Sequence, residues 1–193
     1  MKRLAIGLAT VTLFAGTLGV TGVPASAGTT LKPRASTPKA LGFGASWSLI
    51  LNMRECDPES TATRCRSGLW VRPDKVGKPS EFNQNVGYEA AVYRSTRAAR
   101  RAVIGRVAEI RAFAPPAEPA SFSTPAVRRK VVAGTRRTTV SYTYLGPEQR
   151  ERLYIAQKGR RTVSVALGSD TPLGLLPVAK KSVLWRKMSL LVR

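Results

Sequence analysis

A chain of 193 residues with 32 Lys and Arg against 11 Asp and Glu carries a formal net charge of +21 and contains no histidine. The chain therefore supplies no Ser-His-Asp or Cys-His catalytic group, no His-ligated zinc and no imidazole pH switch, and its two cysteines are too few for a structural zinc site or an iron–sulfur cluster. The length suits one domain, and 43% apolar with 22% charged residues is a globular composition.

Met1-Lys2-Arg3 is a short basic head, Leu4 to Val20 is apolar apart from Thr and Gly, and Pro24-Ala25-Ser26-Ala27 ends in a small-x-small pattern. This is the pattern of a secretory signal peptide over 1–27, cut after Ala27. Its loss leaves 166 residues with a net charge of +19. The Gly and Thr content disfavours an uncleaved anchor, and no later stretch has the length of apolar chain that spans a bilayer. The expected location is extracellular or cell-wall associated. Outside the cytosol Cys56 and Cys65, with eight residues between them, are expected to form one local disulfide.

Residues 28–44 are rich in Thr, Pro, Lys and Gly without a period, which predicts a flexible basic arm before a single domain over 45–193. Ala45 to Asn52 predicts a strand with Trp47, Leu49 and Leu51 on one face, and Gly68 to Arg72 a short strand stopped by Pro73. Val86 to Tyr93 predicts another, with Val86, Tyr88, Ala90 and Val92 on one side. The clearest helix runs from Arg97 to Phe113, capped by Ser95 or Thr96. Ala99, Ala102, Val103, Val107, Ile110 and Phe113 form its apolar stripe, which must pack on a sheet. Four prolines between 114 and 126 end it.

The second half predicts strands over Val127–Ala133, Arg137–Leu145, Arg152–Gln157 and Arg161–Leu167, with turns at Gly134 and at Lys158-Gly159. A closing helix spans about Pro177 to Leu191, with Leu184, Met188 and Leu191 on its buried side. Strands joined by hairpins with interposed helices give the α+β class, an antiparallel sheet with two helices packed on one face.

Trp47 in a first strand, a Cys-bearing loop leading to Leu69-Trp70-Val71, the unit Val92-Tyr93-Arg94-Ser95-Thr96-Arg97-Ala98-Ala99, the run Tyr142 to Leu167 and a closing helix follow one another in a familiar layout. This order resembles the actinobacterial PknH-like extracellular sensor domain family over most of 45–191. The resemblance implies an extracytoplasmic α+β domain without established catalytic residues that binds a ligand in a cleft. Two departures are expected: no kinase or transmembrane segment before the domain, and no cysteine near Phe113 such as many members carry.

Charge marks the candidate site. Arg128, Arg129, Arg136, Arg137, Lys158, Arg160 and Arg161 fall near the ends of the second-half hairpins and are the expected anion-binding residues. The expected partner is an anionic cell-envelope polymer or small ligand, with anionic lipid as a further candidate. No specific nucleic acid is expected, because Tyr142 and Tyr144 read more readily as core residues than as exposed stacking platforms. No metal and no cofactor is expected. The chain reads as a non-enzyme, the alternative being a small carboxylate-dependent glycan hydrolase using Glu89, Glu148 or Glu151.

Overall fold

The computed structural model describes residues 31–43, 47–57, 59–72, 84–112, 125–144, 149–169 and 178–193. The expected leader and Glu148 lie outside them. Seven strands form one antiparallel sheet: β1 (Ser48–Met53), β2 (Ala62–Arg72), β3 (Gln84–Tyr93), β4 (Ala126–Val132), β5 (Thr135–Tyr144), β6 (Gln149–Lys158) and β7 (Arg161–Ser169). The spatial order is β1-β2-β3-β7-β6-β5-β4. Two meanders, β1–β3 and β4–β7, are thus joined where β7 pairs with β3 along Gln84–Val92. Three helices accompany them: α1 (Pro38–Leu41), α2 (Thr96–Ala112) and α3 (Val178–Leu191). The class is α+β.

The two long helices lie on opposite faces of the sheet, which corrects the expectation of a single helical face. Alternation along each strand shows the reason. On β6, Tyr154 and Ala156 join Leu184, Trp185 and Met188 of α3 in one core, whereas Leu153 and Ile155 join Val103, Val107 and Ile110 of α2 in another. Both sides of the central strands are apolar, so each requires a cover. An amphipathic helix pattern records that a sheet is covered but not which side of it.

The α3 core is the larger. Val86, Tyr88 and Ala90 of β3 and Val163, Val165 and Leu167 of β7 form its floor, and the rings of Tyr154 and Trp185 meet edge to face at 5.4 Å. Burying a side chain such as Leu184 or Met188 contributes about 1.5–3 kcal/mol. Residues 31–43 complete this core and correct the expectation of a flexible arm for that stretch. Leu41 and Phe43 are buried in it, Tyr88 donates its hydroxyl proton to the Arg34 carbonyl, and Arg34 donates to the Leu190 carbonyl at 3.0 Å. Thr37 caps α1 and Gly42, at φ 97°, ends it.

On the other face Ser95 accepts from the Ala98 amide at 3.0 Å and so caps α2. The predicted stripe is the packed one: Ala99 and Val107 are buried, and Ala102, Val103 and Ile110 are half-buried. Phe113 lies outside the described residues.

Two strands differ from their sequence pattern. β2 begins at Ala62 rather than Gly68, so Cys65 is a strand residue pairing with Ala91, and its disulfide to Cys56 holds the 57–61 loop against the strand with Cα atoms 4.8 Å apart. β1 is an edge strand whose register shifts between Leu49 and Leu51, and all six of its residues are exposed. The predicted alternation of Leu49 and Leu51 therefore buries neither. Trp47 precedes the strand, packing against the α3 core and donating its indole proton to the Phe43 carbonyl.

Candidate functional site

Strand parity separates the seven predicted anion-binding residues. The α2-facing positions of β4 and β5 include Val127 and Val140, which belong to the α2 core and pair with one another. Arg129 and Arg136 share that parity. Arg128, Lys130 and Arg137 face the α3 side, as do Lys158 and Arg161, which continue the Tyr154–Ala156 and Val163–Val165 rows. Arg160 occupies the β6–β7 turn, where its Nε donates to the Tyr93 carbonyl at 2.8 Å and its own carbonyl accepts from the Tyr93 amide. Its guanidinium is therefore engaged in joining that turn to the end of β3.

The α3-side group forms a row across four strands. Lys130 stands opposite Arg137 on the β4–β5 ladder, and Lys158 opposite Arg161 on the β6–β7 ladder. Like charges at directly opposed positions cost about 0.2–1 kcal/mol per pair. Arg137 lies over the Trp185 ring at 5.4 Å and donates through Nη2 to Ser189 at 3.2 Å, while its Nε is buried without a partner. The Nε and Nη1 of Arg161 are likewise buried and unpartnered. Among the described residues the ion pair is Arg106 with Glu109, at 3.7 Å on α2 and far from this row in sequence.

Carboxylates collect elsewhere. A cavity of about 290 Å³ opens between α2 and the sheet, closed at one side by the disulfide-held loop. Asp57 and Glu59 of that loop, Glu89 of β3 and Glu109 of α2 line it together with Arg106, Tyr93, Thr162 and Ser164. The loop is ordered by its own hydrogen bonds, the Asp57 carboxylate accepting from the Glu59 amide at 3.0 Å and the Asp57 carbonyl from the Ser60 amide at 2.8 Å. Desolvation in the cleft, followed by the Asp57 and Glu109 carboxylates, holds the Glu59 carboxyl above its usual range. Burial, opposed by a hydrogen bond to Thr162 and reinforced by Glu89, raises the Tyr93 phenol. Among the described residues no three His, Cys, Asp or Glu side chains are arranged to hold a metal ion.

Sequence reasoning named Glu89 but missed this cleft. Asp57 and Glu59 read as residues of a polar loop, and nothing local to them indicates that α2 passes opposite. Glu151 is not part of the cleft and accepts the Tyr142 hydroxyl proton across the β5–β6 ladder. Tyr142 itself packs against the α2 core.

The molecule thus belongs to the class of single-sheet antiparallel α+β domains with a helix on each face and a cleft beneath one helix. No protein-family model and no curated protein matches the sequence. Among solved structures, the chain is similar to the extracellular domain of PknH from Mycobacterium tuberculosis, with a TM-score of 0.50 and 8% identity over 80% of this chain and 88% of that one. At this identity the likeness is one of fold. No described helix is long and apolar enough to cross a membrane.

Proposed function

We propose that this chain works outside the cytoplasm as a non-catalytic, sensor-like ligand-binding domain whose cationic row engages an anionic component of the cell envelope. The observation that carries the reading is the pairing of Lys130 with Arg137 and of Lys158 with Arg161 on one face, with three buried guanidinium nitrogens unpartnered. Like charges so placed cost stability in the free protein, and a phosphate or carboxylate oxygen laid along the row offsets that repulsion. The leader pattern and the Cys56–Cys65 disulfide support an oxidising compartment. There the accessible polyanions are envelope polymers. The cleft beneath α2 is the place for a small ligand, its volume lying at the lower end of the usual range for ligand pockets.

Retention of the exported protein on immobilised poly(glycerol phosphate) tests this reading. Retention at low salt that weakens as salt rises is expected. Replacing one partner of each like-charged pair, Lys130→Gln with Lys158→Gln, is expected to weaken retention while raising folding stability by about 0.5–2 kcal/mol in total. Absence of retention at low salt, or retention unchanged in the double variant, overturns it.

One observation favours a second reading. Glu89 lines a cleft with three further carboxylates, the setting that glycoside hydrolysis uses. Sugar released from envelope glycan and abolished by Glu89→Gln would replace the first reading with this one.

A further inference from the structure

Beside α2 the β4–β5 hairpin carries a surface of different chemistry that adjoins the cationic row. A groove of about 570 Å³ runs between α2 and the β4–β5 hairpin, lined by Arg100 and Ile104 of α2 and by Arg129, Val131 and Arg136 of the hairpin, with Lys130 and Arg137 of the cationic row at its border and no described Asp or Glu in its lining. Ile104 and Val131 are each 60% exposed, more than any other large apolar side chain among the described residues. The remaining exposed large apolar residues lie on β1 and at Leu190. In this groove alone, among the cavities described above, are two large aliphatic side chains held in water beside several guanidinium groups.

That combination distinguishes between anionic partners. A soluble polyphosphate uses the arginines and gains nothing from Ile104 and Val131. A bilayer of anionic phospholipid offers both a phosphodiester layer for the cations and an apolar boundary just beneath it, the division of labour found in interfacial helices.

We infer that this groove docks on an anionic phospholipid bilayer, with Arg100, Arg129 and Arg136 at the headgroup phosphates and Ile104 and Val131 entering the boundary below them. The inference rests on the anionic-envelope reading and narrows it to one partner and to a groove that adjoins the row at Lys130 and Arg137. A basic residue close to an anionic membrane surface contributes roughly fivefold in affinity, so losing the three arginines removes on the order of a hundredfold.

Flotation of the exported protein with phosphatidylglycerol-containing vesicles, and with vesicles of phosphatidylcholine alone, provides the test. Retention on poly(glycerol phosphate) is measured in parallel. Binding to the anionic vesicles only is expected, falling roughly tenfold in an Ile104→Ser, Val131→Ser variant that keeps its polymer retention and its unfolding temperature. Both positions are exposed, so the variant folds; Leu49→Ser with Leu51→Ser on the edge strand serves as the control and is expected to change nothing. Equal binding to both kinds of vesicle, or anionic-vesicle binding unaltered by the Ile104 and Val131 substitutions, overturns the inference. Polymer retention without vesicle binding overturns it and leaves the broader reading standing, whereas loss of both removes the two together.

Discussion

Tyr142 shows how one side chain reports on its surroundings. Its ring packs in the α2 core and its hydroxyl bonds the Glu151 carboxylate, so burial first, and then the neighbouring negative charge, raise its pKa above the ordinary phenol value of 10.0. Burial does the same for Tyr88 and Tyr93. A phenol whose folded pKa lies above its unfolded value stabilises the fold fully below pH 10, and that contribution is lost as pH rises beyond it. The expected outcome of an absorbance titration is that Tyr88, Tyr93 and Tyr142 ionise above pH 10 and together with alkaline unfolding. Titration of all five tyrosines near pH 10 with the fold intact would contradict this account. The burial of Tyr142 was legible from the Val140–Tyr142 alternation, but its partner was not, because Glu151 becomes its neighbour only through the β5–β6 register. Gly68 is a similar case. A Cβ there would come within 2.4 Å of the Trp70 ring, a requirement set by a rotamer that sequence does not display.

The β4–β5 hairpin carries the clearest signal among the elements. Ala133 and Gly134 both have positive φ, 47° and 72°, the pattern of a two-residue turn matched to strand twist. Gly134 suits it, but an alanine in the left-handed region costs about 1–2 kcal/mol, which asparagine largely avoids. Ala133→Asn is therefore expected to stabilise the protein by about 1 kcal/mol and to raise its unfolding temperature by about 2–4 °C; an unchanged or lowered temperature in a thermal melt would contradict the turn assignment. Glycine and hydrophobic alternation made this hairpin and the β6–β7 hairpin readable in advance, as the Ser95 cap and the apolar stripe did for α2. The start of β2 was not readable. Ala62 to Ser67 is polar and carries alternate arginines, and it is a strand because β3 pairs with it from Glu89 to Tyr93 and the disulfide fixes its beginning. The short α1 was hidden for a related reason: Leu41 and Phe43 stand alone in a Pro- and Lys-rich stretch, and only the α3 core gives them a place.

Across the whole molecule the net charge of +21 is distributed unevenly, and the row and the groove meet at Lys130 and Arg137. Carboxylates line the cleft beneath α2, a like-charged row crosses β4 to β7 on the α3 side, and an arginine groove with two aliphatic residues follows the hairpin on the α2 side. The sequence showed the abundance of positive charge and its place near the hairpin ends. It did not show the division between faces, because that depends on which parity of each strand meets which helix. Export, if it follows the leader, gives this distribution an envelope full of anionic polymers and lipids to meet. The direct test is to follow backbone amide signals of the protein by nuclear magnetic resonance while poly(glycerol phosphate) is added at low salt. Changes concentrated at Lys130, Arg137, Lys158, Arg161 and the turns beside them are the predicted result. Changes spread evenly over every exposed arginine, or none at all, would mean that the charge is a solvated surface and would contradict the central claim.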